Sequence, residues 1–92
     1  MFAIAFDLLW HVTRQTHPRG VTQAYADIGN VLKRHGFERV QGSVYISQNE
    51  SLVSVTQAIV ALRGLPWFPT CVRDIRAFKV EHWSDFTDFM KS

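Results

Sequence analysis

One cysteine, Cys71, among 92 residues leaves no way to form an intramolecular disulfide. The four histidines, His11, His17, His35 and His82, are scattered, and with a lone cysteine they show none of the clustered spacings of a structural zinc site. Both scarcities fit a reducing, cytoplasmic setting. Long apolar runs are also missing. The best is the opening "FAIAFDLLW", which Asp7 interrupts and which has neither a basic region before it nor a small-residue cleavage site after it. It is expected to be neither a signal peptide nor a membrane span. Charge of one sign is scarce as well: ten basic against eight acidic residues give +2. That is too mild to establish nucleic-acid binding, although basic groups can still gather on one face. No linker, low-complexity tract or repeat divides the chain. What is present is a 47% apolar share, enough for one domain over residues 1–92 with a small core. In this size range stability is marginal, and a partner subunit helps.

The elements follow in a regular order. Met1 to Leu8 reads as a strand, and "LWHVTRQTH" as a polar connecting segment. Pro18 offers a preset first helical position. Val21, Ala24, Tyr25, Ile28, Val31 and Leu32 then form one stripe at helical spacing, ending at Gly36. In "FERVQGSVYIS" two short β-prone halves meet at Gly42–Ser43, which suits a two-residue hairpin turn with glycine first; a single strand kinked at Gly42 is the alternative. Asn49 is placed to cap a second helix carrying Leu52, Val55, Ile59 and Leu62 and closed by Gly64 and Pro66. The loop "LPWFPT" leads to a last strand in "CVRDIRAFKVEH". The tail "WSDFTDFMKS" puts Trp83, Phe86, Phe89 and Met90 on one face of a short docked helix capped by Ser84, with an added strand as the alternative. The order is β-α-β-β-α-β with a short C-terminal extension, an α+β chain of ferredoxin-like type.

That topology explains where Asp7 lies. The first strand runs antiparallel beside the third, so Asp7 should reach the Gly42–Ser43 turn, and the segment carrying Thr13, Arg14 and His17 leaves from the same end. Side chains alternate across a sheet, so Phe2, Ile4, Phe6 and Leu8 share one face and Ala3, Ala5 and Asp7 the other. The bulky face suits the helices. The small, apolar face needs another cover, and a second copy of the chain would provide one and bring the two Asp7 side chains together.

Several segments also carry a resemblance: "MFAIAFDLLW", "HPRGVTQAYADIG", "QGSVYIS", "VRDIRAF" and "WSDFTDF". From its first residues to its last few the chain resembles the virulence-associated protein D (VapD) family, which is similar in fold to the CRISPR-associated protein 2 nucleases. The resemblance implies a small bacterial endoribonuclease acting on RNA as a homodimer, typically the toxin of a toxin–antitoxin pair with a cognate antitoxin protein. Asp7 matches the aspartate that nuclease members carry at the end of the first strand, and Ser43 matches the serine of the family's "QxSV" segment; the resemblance makes both candidate catalytic residues.

RNA cleavage needs a base or metal to activate a hydroxyl, a donor for phosphate charge and an acid for the leaving oxygen. Two Asp7 carboxylates across a dimer axis could hold one magnesium ion, or share one proton and act without metal; the residues do not choose. Thr13, Arg14 and His17 are candidate phosphate donors, and His11 and His17 candidate acids. Arg73 and Arg76 could track the backbone, and Trp10 and Tyr45 could stack on bases. Each also has a structural role open to it. Asp7 can accept backbone hydrogen bonds, Ser43 can serve the turn, the arginines and Lys79 can pair with Asp74 and Glu81, Trp10 and Tyr45 can be buried, and Cys71 can be a small core residue. Three functions remain open: an endoribonuclease built on Asp7, a non-catalytic RNA-binding dimer, and a purely structural dimer.

Overall fold

The computed structural model describes residues 1–92. Its centre is β1 (Phe2–Leu8), the most continuously apolar strand, and it is paired on both sides. One neighbour is β3 (Val44–Ser47) and the other β4 (Val72–Lys79), both antiparallel; β2 (Glu38–Gln41) adds to β3. The result is an α+β chain with a four-stranded antiparallel sheet in the order β2-β3-β1-β4. Gln41 faces Val44 across the two-residue turn, with Gly42 at φ +43°, so the expected hairpin forms and not the alternative kinked strand.

Helices α2 (Gly20–Arg34) and α3 (Leu52–Arg63) cover one face. Ile4, Phe6 and Leu8 from β1 meet Ala24, Ile28, Val31 and Leu32 from α2, Val55, Ala58 and Leu62 from α3, and Phe37. Ile28 and Leu32 are fully buried, so truncating either to alanine costs about 2–5 kcal/mol. That is a large part of the roughly 5–15 kcal/mol holding a domain together. Cys71 is free and buried, a small core residue as one reading had it.

Several local expectations need correction. The segment after β1 is a helix, α1 (Trp10–Thr16), because its inward positions Thr13 and His17 are polar in type and give no apolar periodicity. Pro18 lies in the turn before α2 and does not open it. Ser51 occupies the N-cap position of α3, while Asn49 shapes the entry by accepting the Ser51 N–H at 2.8 Å. Leu52 is exposed, as are Val53 and Val60, because the apolar residues of α3 run around the helix. "LPWFPT" contains the short α4 (Phe68–Cys71). The tail forms α5 (Thr87–Lys91), but none of its residues is buried, and Asp85 in place of Ser84 accepts the Thr87 N–H.

The face opposite the helices is covered in part by the chain itself. Ala3 is 1% exposed and Ile46 9%, and Trp83 from the tail lines one groove with Val40 and Ile46. Asp7, Asp74 and Arg76, at the other end of this face, stay exposed.

Candidate active site

Strand register assembles the site. Asp7 is the Cα partner of Asp74, and the pairing shifts before Leu8 meets Val72, which leaves Arg73 as an extra residue in a bulge. A bulge bends its strand and redirects side chains, and bulges are frequent beside active sites. Two carboxylates therefore stand opposite each other on the open face, where like charges on directly opposed residues are destabilising. The nearby cations offset this only weakly: Arg76 Nε lies 4.0 Å from Asp74 Oδ1, with both side chains well exposed. The opposition of Asp7 and Asp74 is not legible in the sequence, because only the register of β4 on β1 sets it.

Ser43 lies next to this end of β1, its carbonyl accepting the Phe6 N–H at 3.2 Å. Its side chain, however, lines a groove on the helical side of the hairpin with Tyr25 and Tyr45. Asp7 and Ser43 are neighbours along the backbone but look to opposite faces of the sheet.

On α1 the expected residues divide. Trp10, His11 and Arg14 are exposed; the Arg14 guanidinium lies 5.6 Å from the centre of the Trp10 ring, and His11 meets the same ring edge-on. This cation–π stack presents a charged, flat surface at the end of the sheet where Asp7 lies. Thr13 and His17 do not belong to it. Thr13 is fully buried and its hydroxyl donates to the Leu9 carbonyl at 2.8 Å. His17 is 5% exposed and edge-on to Trp67. Its Nδ1 accepts the Arg19 N–H, so Nε2 carries the proton and donates to Asp27 Oδ2 at 2.8 Å. Hydrogen bonds from Gln23 and then His17 hold the Asp27 carboxyl below its ordinary range. These groups lock α1 to α2 and are not free for a phosphate. Tyr45 is likewise no open stacking platform, since its ring is buried against Phe6 at 6.2 Å.

No three of the His, Cys, Asp and Glu side chains cluster as a metal site within one chain. No helix is long and apolar enough to cross a membrane.

No family model matches the chain. Curated relatives match it end to end. It is 56% identical over 92 residues to an endoribonuclease VapD homolog of Neisseria gonorrhoeae and 54% identical over 92 residues to endoribonuclease VapD of Haemophilus influenzae, each covering all of both chains. Endoribonuclease VapD of Helicobacter pylori is 45% identical over 94 residues, again covering all of both. At that identity over that length, the chain belongs to the endoribonuclease VapD family.

Proposed function

We propose that this VapD-family chain cleaves RNA as a homodimer of ferredoxin-like subunits, with Asp7 as the catalytic carboxylate and Asp74 beside it. The observation that carries the assignment is the opposition of Asp7 and Asp74 across the strands next to a bulge, exposed and on rigid backbone. In this reading Asp7 takes the proton from the attacking hydroxyl, Arg73 and Arg76 neutralise charge on the phosphate, and His11 gives a proton to the leaving oxygen. Trp10 and Arg14 give the strand a surface to lie on. The two carboxylates suit magnesium, which commonly takes one or two carboxylates plus waters, and Asp7 and Asp74 would hold it. When bound, the ion supplies charge neutralisation at the phosphate and a more acidic nucleophile.

The strand order β2-β3-β1-β4 supports the ferredoxin-like assignment. The dimer is supported by apolar surface on the open face and tail: Phe78 is 47% exposed, and Phe86, Phe89 and Met90 more so. The family resemblance is what supports a cytoplasmic toxin role with a cognate antitoxin protein.

The test is cleavage of end-labelled RNA by wild type, Asp7→Asn and Asp74→Asn, with and without magnesium. Asparagine keeps size and most hydrogen bonding but cannot act as a base. Each variant should lose at least about a hundredfold in rate, with folding and mass unchanged. Folded variants that cut at the wild-type rate would move the chemistry elsewhere; a wild type that binds RNA without cutting it would leave a binding module.

A further inference from the structure

A second polar concavity lies on the other side of the β2–β3 hairpin, between it and α2. It is a groove of about 630 Å³ whose polar lining is Tyr25, Asn30, Lys33, Arg39, Ser43 and Tyr45. No carboxylate lines it. Its two cations are therefore not neutralised from within. The Arg39 Nε–H donates to the Gly42 carbonyl at 2.8 Å, which fixes the guanidinium at the turn with its remaining N–H groups unused. Lys33 is exposed and makes no ion pair.

Tyr45 is the informative residue. The residue is only 5% exposed, but its hydroxyl, which makes no hydrogen bond within the protein, is the part that reaches solvent at the groove. That hydroxyl is free to donate to a bound group. The helix makes room for it: a Cβ at Gly29 would lie 2.8 Å from that oxygen. Glycine inside a helix costs about 1 kcal/mol relative to alanine. The sequence thus accepts a weaker helix at Gly29 to seat a hydroxyl that meets no acceptor in the protein. Donors that line one groove, two of them cationic and with no carboxylate beside them, suit a phosphate.

We propose that this groove is a phosphate-binding subsite for the RNA backbone, holding the strand on the helical side of the hairpin while its scissile bond lies at Asp7. The proposal rests on the endoribonuclease assignment above. Ser43 joins the two places, since its side chain lines the groove and its carbonyl pairs with Phe6, the residue before Asp7. A strand draped over the hairpin tip engages both.

The experiment is equilibrium binding of a fluorescent 2′-O-methyl RNA oligonucleotide in EDTA, which blocks both metal-dependent cleavage and attack by the 2′-hydroxyl. Affinity is followed against salt. Lys33→Gln and Arg39→Gln should each weaken binding about three- to tenfold and reduce the salt slope by about 0.7, the value for one phosphate contact on a single strand. Tyr45→Phe should weaken binding about threefold or more, as loss of one hydrogen bond implies, without changing melting temperature. Arg63→Gln, an exposed charge at the far end of α3, should leave the slope unchanged. Inorganic phosphate and 5′-AMP should compete only at millimolar concentration. Unchanged affinity and slope in both cation variants overturn the subsite, as does an equal loss in Arg63→Gln; competition by 5′-AMP at micromolar concentration makes the groove a mononucleotide site and overturns the backbone assignment. The two proposals fail separately. Groove variants that bind normally in a protein that cuts RNA remove only the subsite, and a protein that holds the oligonucleotide through the groove but cuts no RNA removes only the nuclease.

Discussion

Substituting Gly29 tests how Tyr45 is seated, and the size of the effect follows from two distances. Gly29 lies inside α2, where alanine would ordinarily stabilise the helix by about 1 kcal/mol. Here the added methyl would sit 2.8 Å from the Tyr45 hydroxyl oxygen but 3.8 Å from the ring carbon that bears it. The first distance requires movement of several tenths of an ångström; the second is ordinary contact. The ring has little freedom to yield, because it stacks on Phe6 with 26° between planes. Overpacking of this kind costs about 1–3 kcal/mol, so Gly29→Ala alone should be neutral to destabilising by about 2 kcal/mol. With the hydroxyl gone the clash goes too, and Gly29→Ala in a Tyr45→Phe background should stabilise by about 1 kcal/mol. The coupling between the two sites is then about 1–3 kcal/mol, measurable by urea denaturation of all four proteins. For a chain of this length each kcal/mol moves the melting temperature by about 4–8 °C. If Gly29→Ala stabilises both backgrounds equally, the hydroxyl is not held against the helix and the groove loses its defining feature.

Asp27→Ala should destabilise the fold by about 1–3 kcal/mol at neutral pH, because it leaves the buried His17 Nε2–H without its acceptor. Gln23 and His17 lower the Asp27 pKa in the folded state, so its contribution is present above the unfolded value near 3.8 and is lost as pH falls through the lower folded value. The stability gap between wild type and variant should therefore narrow from about pH 7 to about pH 2.5; a constant gap in urea midpoints would contradict this. Ala5→Glu, on the part of the open face away from the tail, should shift the mass measured by light scattering from that of the proposed dimer toward that of a folded monomer. An unaltered dimer mass places the interface elsewhere. Ala3→Glu cannot serve the same purpose, since Ala3 is 1% exposed within one chain and a charge there would disturb folding itself.

Much of this protein could be read from its sequence, because the signals are local. Alternation in "FAIAFDL", the helical stripe from Ala24 to Leu32 and the Gly42–Ser43 turn each depend on neighbours a few residues away, and they lead to the four strands and the two covering helices. The family, too, was legible in short segments spread along the chain. The site was legible only in part. Asp7 stands out as a candidate by its odd position in an apolar strand, but Asp74 faces it only through the register of β4, a long-range pairing that no local pattern encodes. Helix α1 leaves no apolar signature in the sequence because the side chains buried with it, Thr13 and His17, satisfy their polar groups with Leu9, Arg19 and Asp27, so burial there follows hydrogen bonding and not hydrophobicity. For the same reason the types of Thr13 and His17, and the ring of Tyr45, suggest contact with RNA that only packing excludes, leaving the Tyr45 hydroxyl alone at a groove. The sequence by itself thus determined elements whose free energy comes from nearest neighbours and apolar periodicity. Tertiary structure alone decided which polar groups meet, because a hydrogen bond or a pair of facing carboxylates depends on distances of a few ångströms between residues far apart in the chain.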